Sequence, residues 1–195
     1  MRIGLLSALA LIAAASGVPA PTRAVQPEGD AQSEVCTLLA DQDNAEAVRA
    51  AEDKWGVPAP LMLAFMRQES HFQAEARHPA SSAYGYAQAV RGTWKVYRNE
   101  TGNLDAERNN FADSMDFIGW YISGVHEHAG VPYSNTIAHY LAYSRGPAAK
   151  GRPSAAAKAN AARVAAYAKA YKADLKTCPI APRSTGLLAL LAPAD

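Results

Sequence analysis

A glutamic acid near the end of an apolar helix is the first residue whose position favours chemistry. In the stretch LMLAFMRQESHFQAEA, residues 61–76, Glu69 lies four residues after Phe65 and three after Met66. This spacing places the carboxyl on the same helical face as those two side chains. Burial raises the pKa of a carboxyl, so Glu69 would keep a proton near neutral pH and could donate it to a leaving oxygen. The alternative is an ordinary helix end at which Glu69 faces water.

Two other groups of titratable side chains have less favourable spacing. His126 and His128 flank Glu127, and a separation of two residues points the histidines to different helix faces, so we interpret this group as a solvated helix end. Asp113 and Asp116 could supply a second carboxylate, or they could cover the polar face of their helix. We predict neither a metal nor a cofactor.

Composition restricts the class of protein. The chain has 195 residues, 49% of them hydrophobic, which is enough for one domain with a substantial core. The formal net charge of +1 argues against a nucleic-acid binder that relies on phosphate contacts. Abundant alanine and apolar spacings near 3.6 residues predict a mainly α-helical fold.

The N-terminus has the features of a secretory signal. Arg2 precedes the short apolar run IGLLSALALIAAASG, and small residues follow it. We therefore predict a signal peptide at 1–20, a linker at 21–35, a folded domain at 36–178 and a tail at 179–195. The alternative for the first segment is a buried helix. The tail contains a second apolar run, GLLALLA. We expect neither run to form an integral membrane span, and the expected location is the periplasm or cell envelope.

The helices that position these residues are predicted from apolar periodicity and from breakers. They lie at 43–55, from the VPAP stretch to Glu69 or Ser70, and at 92–100, 109–129, 134–143 and 154–176. The stretch 71–90 is predicted to be a loop that could contain a short hairpin. Cys36 and Cys178 bracket the domain, and export would favour a disulfide between them, although two unrelated thiols are the alternative.

Three sequence pieces in a fixed order resemble the soluble lytic transglycosylase family. They are ESHFQAEA, then AYGYAQAVRGTW, then HYLAYSRGPA, and together the resemblance covers about residues 43–150. The matching positions are Glu69, Ser70, Phe72, Ala76, Gly85, Gln88, Thr93, Ala142, Tyr143, Gly146 and Pro147.

The chain also departs from the family pattern. Tyr86 and Ala87 stand where the family has leucine and methionine, Ser144 replaces the asparagine after Tyr143, and Arg91 stands at a frequent proline. These changes affect the walls of the glycan subsites rather than the acid. They indicate a divergent branch.

The resemblance implies a lysozyme-like helical domain with a groove for peptidoglycan glycan strands. The family cleaves the bond between N-acetylmuramic acid and N-acetylglucosamine and forms a 1,6-anhydro product, with the substrate's 2-acetamido group in place of a second carboxylate. On this resemblance Glu69 would be the single catalytic acid, and no metal or cofactor would be required.

The same resemblance implies roles for five other residues. Gln88 would line the groove and bind the sugar or its acetamido group, and Tyr143 would hydrogen-bond near Glu69 or the acetamido group. Gly85 would let the backbone approach the glycan closely. Ser70 would reach backbone or sugar, and Tyr86 would form part of the wall or stack on a sugar face.

Two other functions remain open from sequence alone. The first is a lysozyme-type hydrolase in which Asp113 or Asp116 activates water. The second is a non-catalytic peptidoglycan-binding protein that kept the groove, although the joint presence of Glu69, Gln88 and Tyr143 argues against it.

Overall fold

The computed structural model describes residues 31–146, 149–178 and 180. The expected signal peptide, residues 21–30 of the expected linker and nearly all of the expected tail lie outside the described residues. Pro147 of the family's Gly-Pro pair also lies outside them.

The described part of the chain is mainly α-helical, which confirms the predicted fold class. Its helices are α1 (Ala31–Leu38), α2 (Gln42–Trp55), α3 (Ala59–Ser70), α4 (Arg91–Thr101), α5 (Phe111–Ala129), α6 (Thr136–Arg145) and α7 (Ala155–Asp174). Between α3 and α4 the described residues contain only isolated antiparallel bridges, Arg77 with Tyr84 and Tyr84 with Ala89.

The helix boundaries follow local sequence signals with two differences. Gly56 ends α2 and Gly130 ends α5, each in the left-handed conformation that favours glycine. The sequence predicted that α6 begins at 134, which would make Ser134 its cap. In the structure Asn135 caps α6, and its side chain accepts a hydrogen bond from the backbone N–H of Ala138. α1 begins at Ala31, inside the stretch interpreted as a linker.

α3 is the central helix of the core. Its residues 61–66 are all buried, including Leu63, Phe65 and Met66, so the helix is apolar around its whole circumference. It packs against α2, α5 and α7. The core therefore fixes the position of the residues in the last turn of α3, which include Glu69.

α1 is attached to the end of α7 by a covalent bond and by polar contacts. Cys36 and Cys178 form the expected disulfide. One oxygen of Glu34 accepts hydrogen bonds from Nε of Arg67 at 2.7 Å and from the hydroxyl of Tyr171 at 3.4 Å. No helix within the described ranges has both the length and the apolar character that crossing a membrane requires.

Candidate active site

The chain turns sharply directly after Glu69 and Ser70. His71 caps the end of α3 with φ 55°, and Phe72 follows with φ 60°. Two successive non-glycine residues in the left-handed region are uncommon and cost free energy. The turn directs residues 73–90 back across the end of α3, so that this loop and Glu69 border the same groove.

Phe65 organises the aromatic side chains around Glu69. Its ring meets the ring of Tyr140 edge-on with centroids 5.3 Å apart, and it meets Tyr143 in the same way at 5.2 Å. The hydroxyl of Tyr140 donates a hydrogen bond of 2.7 Å to Oε1 of Glu69. The face shared by Phe65 and Glu69 is thus a surface on which α6 packs.

Burial raises the pKa of Glu69 to about 7, and the hydrogen bond from Tyr140 opposes this rise. A carboxyl with this pKa holds a proton in a large share of molecules near neutral pH and can release and regain it. Burial, and then the charge of Glu69, raise the pKa of Tyr140 well above its ordinary value. Tyr140 therefore remains a hydrogen-bond donor throughout the neutral range.

An open groove of about 1060 Å³ runs past this carboxyl. It lies between the loop before α4, one side of α4, and residues of α5 and α6. Its lining includes Glu69, Gln88, Thr93, Trp120, Tyr140 and Tyr143. Partly buried aromatic rings and a protonatable acid in one groove fit a sugar polymer, because aromatic faces pack against the apolar faces of pyranose rings.

Gln88 is held by the loop that carries it. It has φ 48°, and its Nε2 donates to the backbone carbonyls of Ala76 at 2.9 Å and Gly85 at 3.0 Å. Because both amide hydrogens face backbone carbonyls, only Oε1 can contact a molecule in the groove, and it can only accept.

Gly85 makes a close approach within the protein and not towards the groove. It has φ 80°, and a Cβ at this position would overlap the backbone carbonyl of Arg108. The neighbouring N–H of Tyr86 donates to that same carbonyl at 3.2 Å. A glycine is thus required here for loop packing, and the expected close contact with glycan stays a prediction.

The other expected binding residues are placed differently from one another. Ser70 is buried, and its hydroxyl donates to the carbonyl of Met66 at 3.2 Å. The ring of Tyr86 packs edge-on against Phe111. Neither Ser70 nor Tyr86 lines the groove.

Tyr143 lines the groove, but its hydroxyl donates to the carbonyl of Ala87 at 2.6 Å and not to Glu69. Tyr143 therefore supports the loop that carries Gln88. Sequence reasoning missed Tyr140, the residue that contacts the acid. Its position three residues before Tyr143 places both tyrosines on one face of α6, and this spacing was the available signal.

Asp116 is fully engaged outside the groove. It accepts hydrogen bonds from Nε1 of Trp55 at 2.8 Å and from the hydroxyl of Tyr97 at 2.7 Å. Nζ of Lys54 lies 2.9 Å from Oδ1 of Asp116 and donates to its Oδ2 at 3.0 Å. These three donors indicate that Asp116 has a structural role, in which it ties α5 to α2 and α4.

Asp113 also has structural partners. Its oxygens accept from Nδ2 of Asn103 at 3.1 Å and from the backbone N–H of Glu107 at 2.8 Å. Like Asp116, it does not line the groove. Among the described residues, Glu69 is therefore the one carboxyl that lines the groove.

The two histidines near the end of α5 bind backbone carbonyls. Nδ1 of His126 lies 2.8 Å from the carbonyl of Val131, and Nδ1 of His128 lies 2.8 Å from that of Gly124. Within the described residues, no group of three or more histidine, cysteine or acidic side chains is arranged to hold a metal ion.

The comparison with protein families gives one finding. A family model described as "Transglycosylase SLT domain" matches residues 3–178, which is most of the 195-residue chain. No curated protein matches the sequence. The matched range contains Glu69, Gln88, Tyr140 and Tyr143.

Proposed function

This chain belongs to the family of transglycosylase SLT domains, and on that premise we propose that it is an exported peptidoglycan lytic transglycosylase. The family membership supports a transglycosylase-type function on peptidoglycan. The finer proposal is that the chain cleaves the bond between N-acetylmuramic acid and N-acetylglucosamine and leaves a 1,6-anhydromuramyl end.

The observation that carries the proposal is the raised pKa of Glu69, the one acid among the described residues that line the groove. The pKa of about 7 allows Glu69 to be an acid in one step and a base in the next. The lining of the groove includes four tyrosine or tryptophan side chains but no aspartate and no other glutamate. A two-carboxylate hydrolysis therefore has no second residue here, whereas substrate assistance needs none.

In the first step, protonated Glu69 donates its proton to the oxygen that links the two sugars. The bond between that oxygen and C1 of the muramyl residue breaks, and the carbonyl oxygen of the muramyl 2-acetamido group stabilises the cationic C1. The leaving sugar departs with a free hydroxyl, and Glu69 becomes a carboxylate.

In the second step, the Glu69 carboxylate accepts the proton of the muramyl C6 hydroxyl. O6 forms a bond to C1, and the acetamido oxygen leaves C1. The products are the anhydro sugar and Glu69 in its protonated form, so the cycle consumes no water.

Three neighbouring groups assist these steps. The hydroxyl of Tyr140 orients the carboxyl and stabilises the anion formed in the first step. Oε1 of Gln88 accepts from the acetamido N–H or from a sugar hydroxyl, because its amide hydrogens are already bound. Tyr143 holds the loop of Gln88 through Ala87.

Two features support action outside the cytoplasm. The N-terminal segment has the composition of a secretory signal. The Cys36–Cys178 disulfide suits an oxidising compartment such as the periplasm or cell envelope.

Product analysis tests the proposal. Purified peptidoglycan is digested with the mature protein, and the released muropeptides are identified by mass spectrometry. We expect anhydromuramyl ends from the wild type, none from Glu69→Gln, and wild-type yield from Glu46→Gln, which removes an exposed carboxyl of α2. Reducing muramyl ends, heavier by one water, would show a hydrolase, and no release from several wall types would show a binding protein.

A further inference from the structure

A second pocket lies on the other side of α4 and has strongly positive walls. It has a volume of about 630 Å³ and opens to solvent. Its lining includes one carboxylate, that of Glu107, and four cationic side chains, Arg91, Lys95, Arg98 and Arg108. We refer to it as the cationic pocket. The amide side chain of Asn99 adds a neutral donor to the same wall.

The charges of the cationic pocket form no ion pair with any acidic side chain that the structure describes. The ion pairs among the described residues involve Lys54, Arg67 and Arg77, and none of the four pocket cations. Nε of Arg98 is buried and has no hydrogen-bond partner. Unpaired cations in a concave site attract anions and raise their local concentration.

Arg108 shows how closely these cations approach one another. Burial lowers the pKa of its guanidinium, and the charge of Arg91 lowers it further. Its Nη1 donates to the carbonyls of Ser82 at 2.7 Å and Ala89 at 2.9 Å. Arg108 therefore also supports the loop before α4. The side chains of Arg91, Lys95 and Arg98 make no comparable hydrogen bond to that loop among the described residues.

α4 forms the wall between the cationic pocket and the groove that contains Glu69. One face of this helix presents Gly92, Thr93 and Val96 to the groove. The opposite face presents Arg91, Lys95 and Arg98 to the cationic pocket. These two sets follow from helical spacing, since Arg91 and Lys95 are four residues apart and Lys95 and Arg98 are three apart.

We propose that the cationic pocket binds the carboxylates of the peptide stems that peptidoglycan glycan strands carry. This inference rests on the proposed function, because it takes the strand to lie in the groove beside Glu69. Each muramyl residue in that groove projects a stem through its lactyl group, and the stem carries several carboxylates. The site is therefore a specificity site for the branch of the polymer, separate from the groove that holds its sugars.

One stem is long enough to reach from the groove to the cationic pocket. A helix with its side chains is about 10–12 Å across. The path around one side of α4 is therefore roughly 16–19 Å long. An extended peptide spans about 3.3 Å per residue, so a five-residue stem reaches about 17 Å. A stem that leaves the groove across α4 can thus place its distal carboxylates among Arg91, Lys95 and Arg98, where guanidinium groups offer paired donors to each carboxylate.

A direct binding measurement tests this inference without relying on turnover. The probe is the tripeptide L-Ala-γ-D-Glu-meso-diaminopimelate, titrated into the wild-type protein and followed by backbone amide NMR shifts. We expect saturable shifts centred on α4, and about tenfold weaker binding in the triple variant Arg91→Gln/Lys95→Gln/Arg98→Gln, as expected for the loss of two or three exposed charge pairs. The charge-matched control Lys158→Gln/Lys169→Gln/Lys172→Gln removes exposed lysines of α7 and should bind as the wild type does.

Two results of the titration would overturn the inference. One is equal binding by the triple variant and the wild type. The other is tighter binding of a glycerol phosphate oligomer than of the tripeptide, which would assign the site to a phosphate polymer. Circular dichroism checks that the triple variant folds, and Lys95→Glu, a single change at an exposed position, replaces it if it does not.

A kinetic measurement separates this inference from the proposed function. The wild type is compared on intact glycan strands and on strands stripped of stems by an amidase, as the ratio of the two kcat/KM values. We expect a ratio of about ten in favour of stem-bearing strands, and a ratio near one for the triple variant. If the wild type formed anhydro products but its ratio of kcat/KM values were near one, the stem site would be overturned and the proposed function would stand. Absence of anhydro products from both substrates would overturn the proposed function, and the titration would then still decide whether the pocket binds the stem.

Discussion

The hydroxyl of Tyr140 and the carboxyl of Glu69 are joined by a 2.7 Å hydrogen bond across 71 positions of sequence. The bond stabilises the carboxylate and so lowers its pKa, while burial raises it, and burial has the larger effect. The result is a pKa of about 7 for Glu69. An acid balanced in this way can be protonated before the first step and ionised before the second.

Removing the hydroxyl of Tyr140 should shift the pH profile of the reaction. In Tyr140→Phe the stabilising donor is lost, so the pKa of Glu69 should rise above about 7. The alkaline limb of kcat/KM, which reports ionisation of the free acid, should move to higher pH, and kcat should fall about tenfold because the anion formed in the first step is less stable. The measurement is turnover of glycan strands between pH 5 and 9.

Tyr167→Phe is the matched control for this change, because it removes a tyrosine hydroxyl of α7 that does not line the groove. Its profile should coincide with that of the wild type. A profile of Tyr140→Phe that falls uniformly at every pH, with an unmoved limb, would mean that Tyr140 only supports the fold.

Glu69 should reduce the stability of the protein as the pH rises. Its pKa is about 7 in the folded state and about 4.5 as a model value, so the folded protein binds the extra proton between these values. The contribution of this proton to the free energy of unfolding is fully present below about pH 4.5. It is lost as the pH rises to about 7, and the loss is up to about 3 kcal/mol. Glu69→Gln should lack this loss, because its amide does not titrate.

Urea unfolding at several pH values measures this effect. The free energy of unfolding of Glu69→Gln, minus that of the wild type, should increase between about pH 4.5 and 7 and then stay constant. If the free energies of unfolding of Glu69→Gln and the wild type instead changed in parallel across that range, Glu69 would be hydrated in the groove and its pKa would not be raised.

The sequence predicted the location of the acid better than its partner. The spacing of Glu69 from Phe65 is local and follows from helix geometry. The contact with Tyr140 depends on how α6 packs against α3, and no local pattern encodes that packing. The family pattern directed attention to Tyr143, which supports a neighbouring carbonyl instead.

The same limit applies to Gly85 and to α1. The family pattern marked a glycine at position 85. A glycine is needed there because a Cβ would overlap the carbonyl of Arg108, and apolar periodicity does not predict the path of the loop that carries Arg108. α1 is short, and its position depends on the disulfide and on contacts of Glu34 with Arg67 and Tyr171. Isolated helices of this length are not stable by themselves, so propensity gave no signal for it.

Gly85→Ala should destabilise the protein much more than an alanine at a glycine with free space. The new Cβ would overlap the carbonyl of Arg108, and the left-handed φ of 80° disfavours a side chain, so we expect a loss of about 3 kcal/mol or more. Gly124→Ala is the matched control, since Gly124 lies within α5 and a Cβ there meets nothing within 4 Å. It should stabilise the protein by about 0.5–1 kcal/mol.

Thermal and denaturant unfolding of both glycine variants provide the comparison. Gly85→Ala should also lose activity, because Nε2 of Gln88 donates to the carbonyl of Gly85 and the loop would be displaced. A stable and fully active Gly85→Ala would show that the contact with Arg108 is adaptable.

Reduction of the disulfide should lower stability without changing the chemistry of Glu69. The bond joins residues 142 positions apart, so in the chain-entropy model its loss should cost about 4–5 kcal/mol, and less where the unfolded chain retains structure. Cys36→Ser/Cys178→Ser should therefore unfold at lower urea concentration than the wild type, while its pH profile of kcat/KM stays the same, because neither cysteine lines the groove.

Val35 is buried and Glu34 is bound to Arg67, so α1 should remain docked in the folded variant. An altered pH profile would instead show that the attachment of α1 to α7 positions the acid through α3.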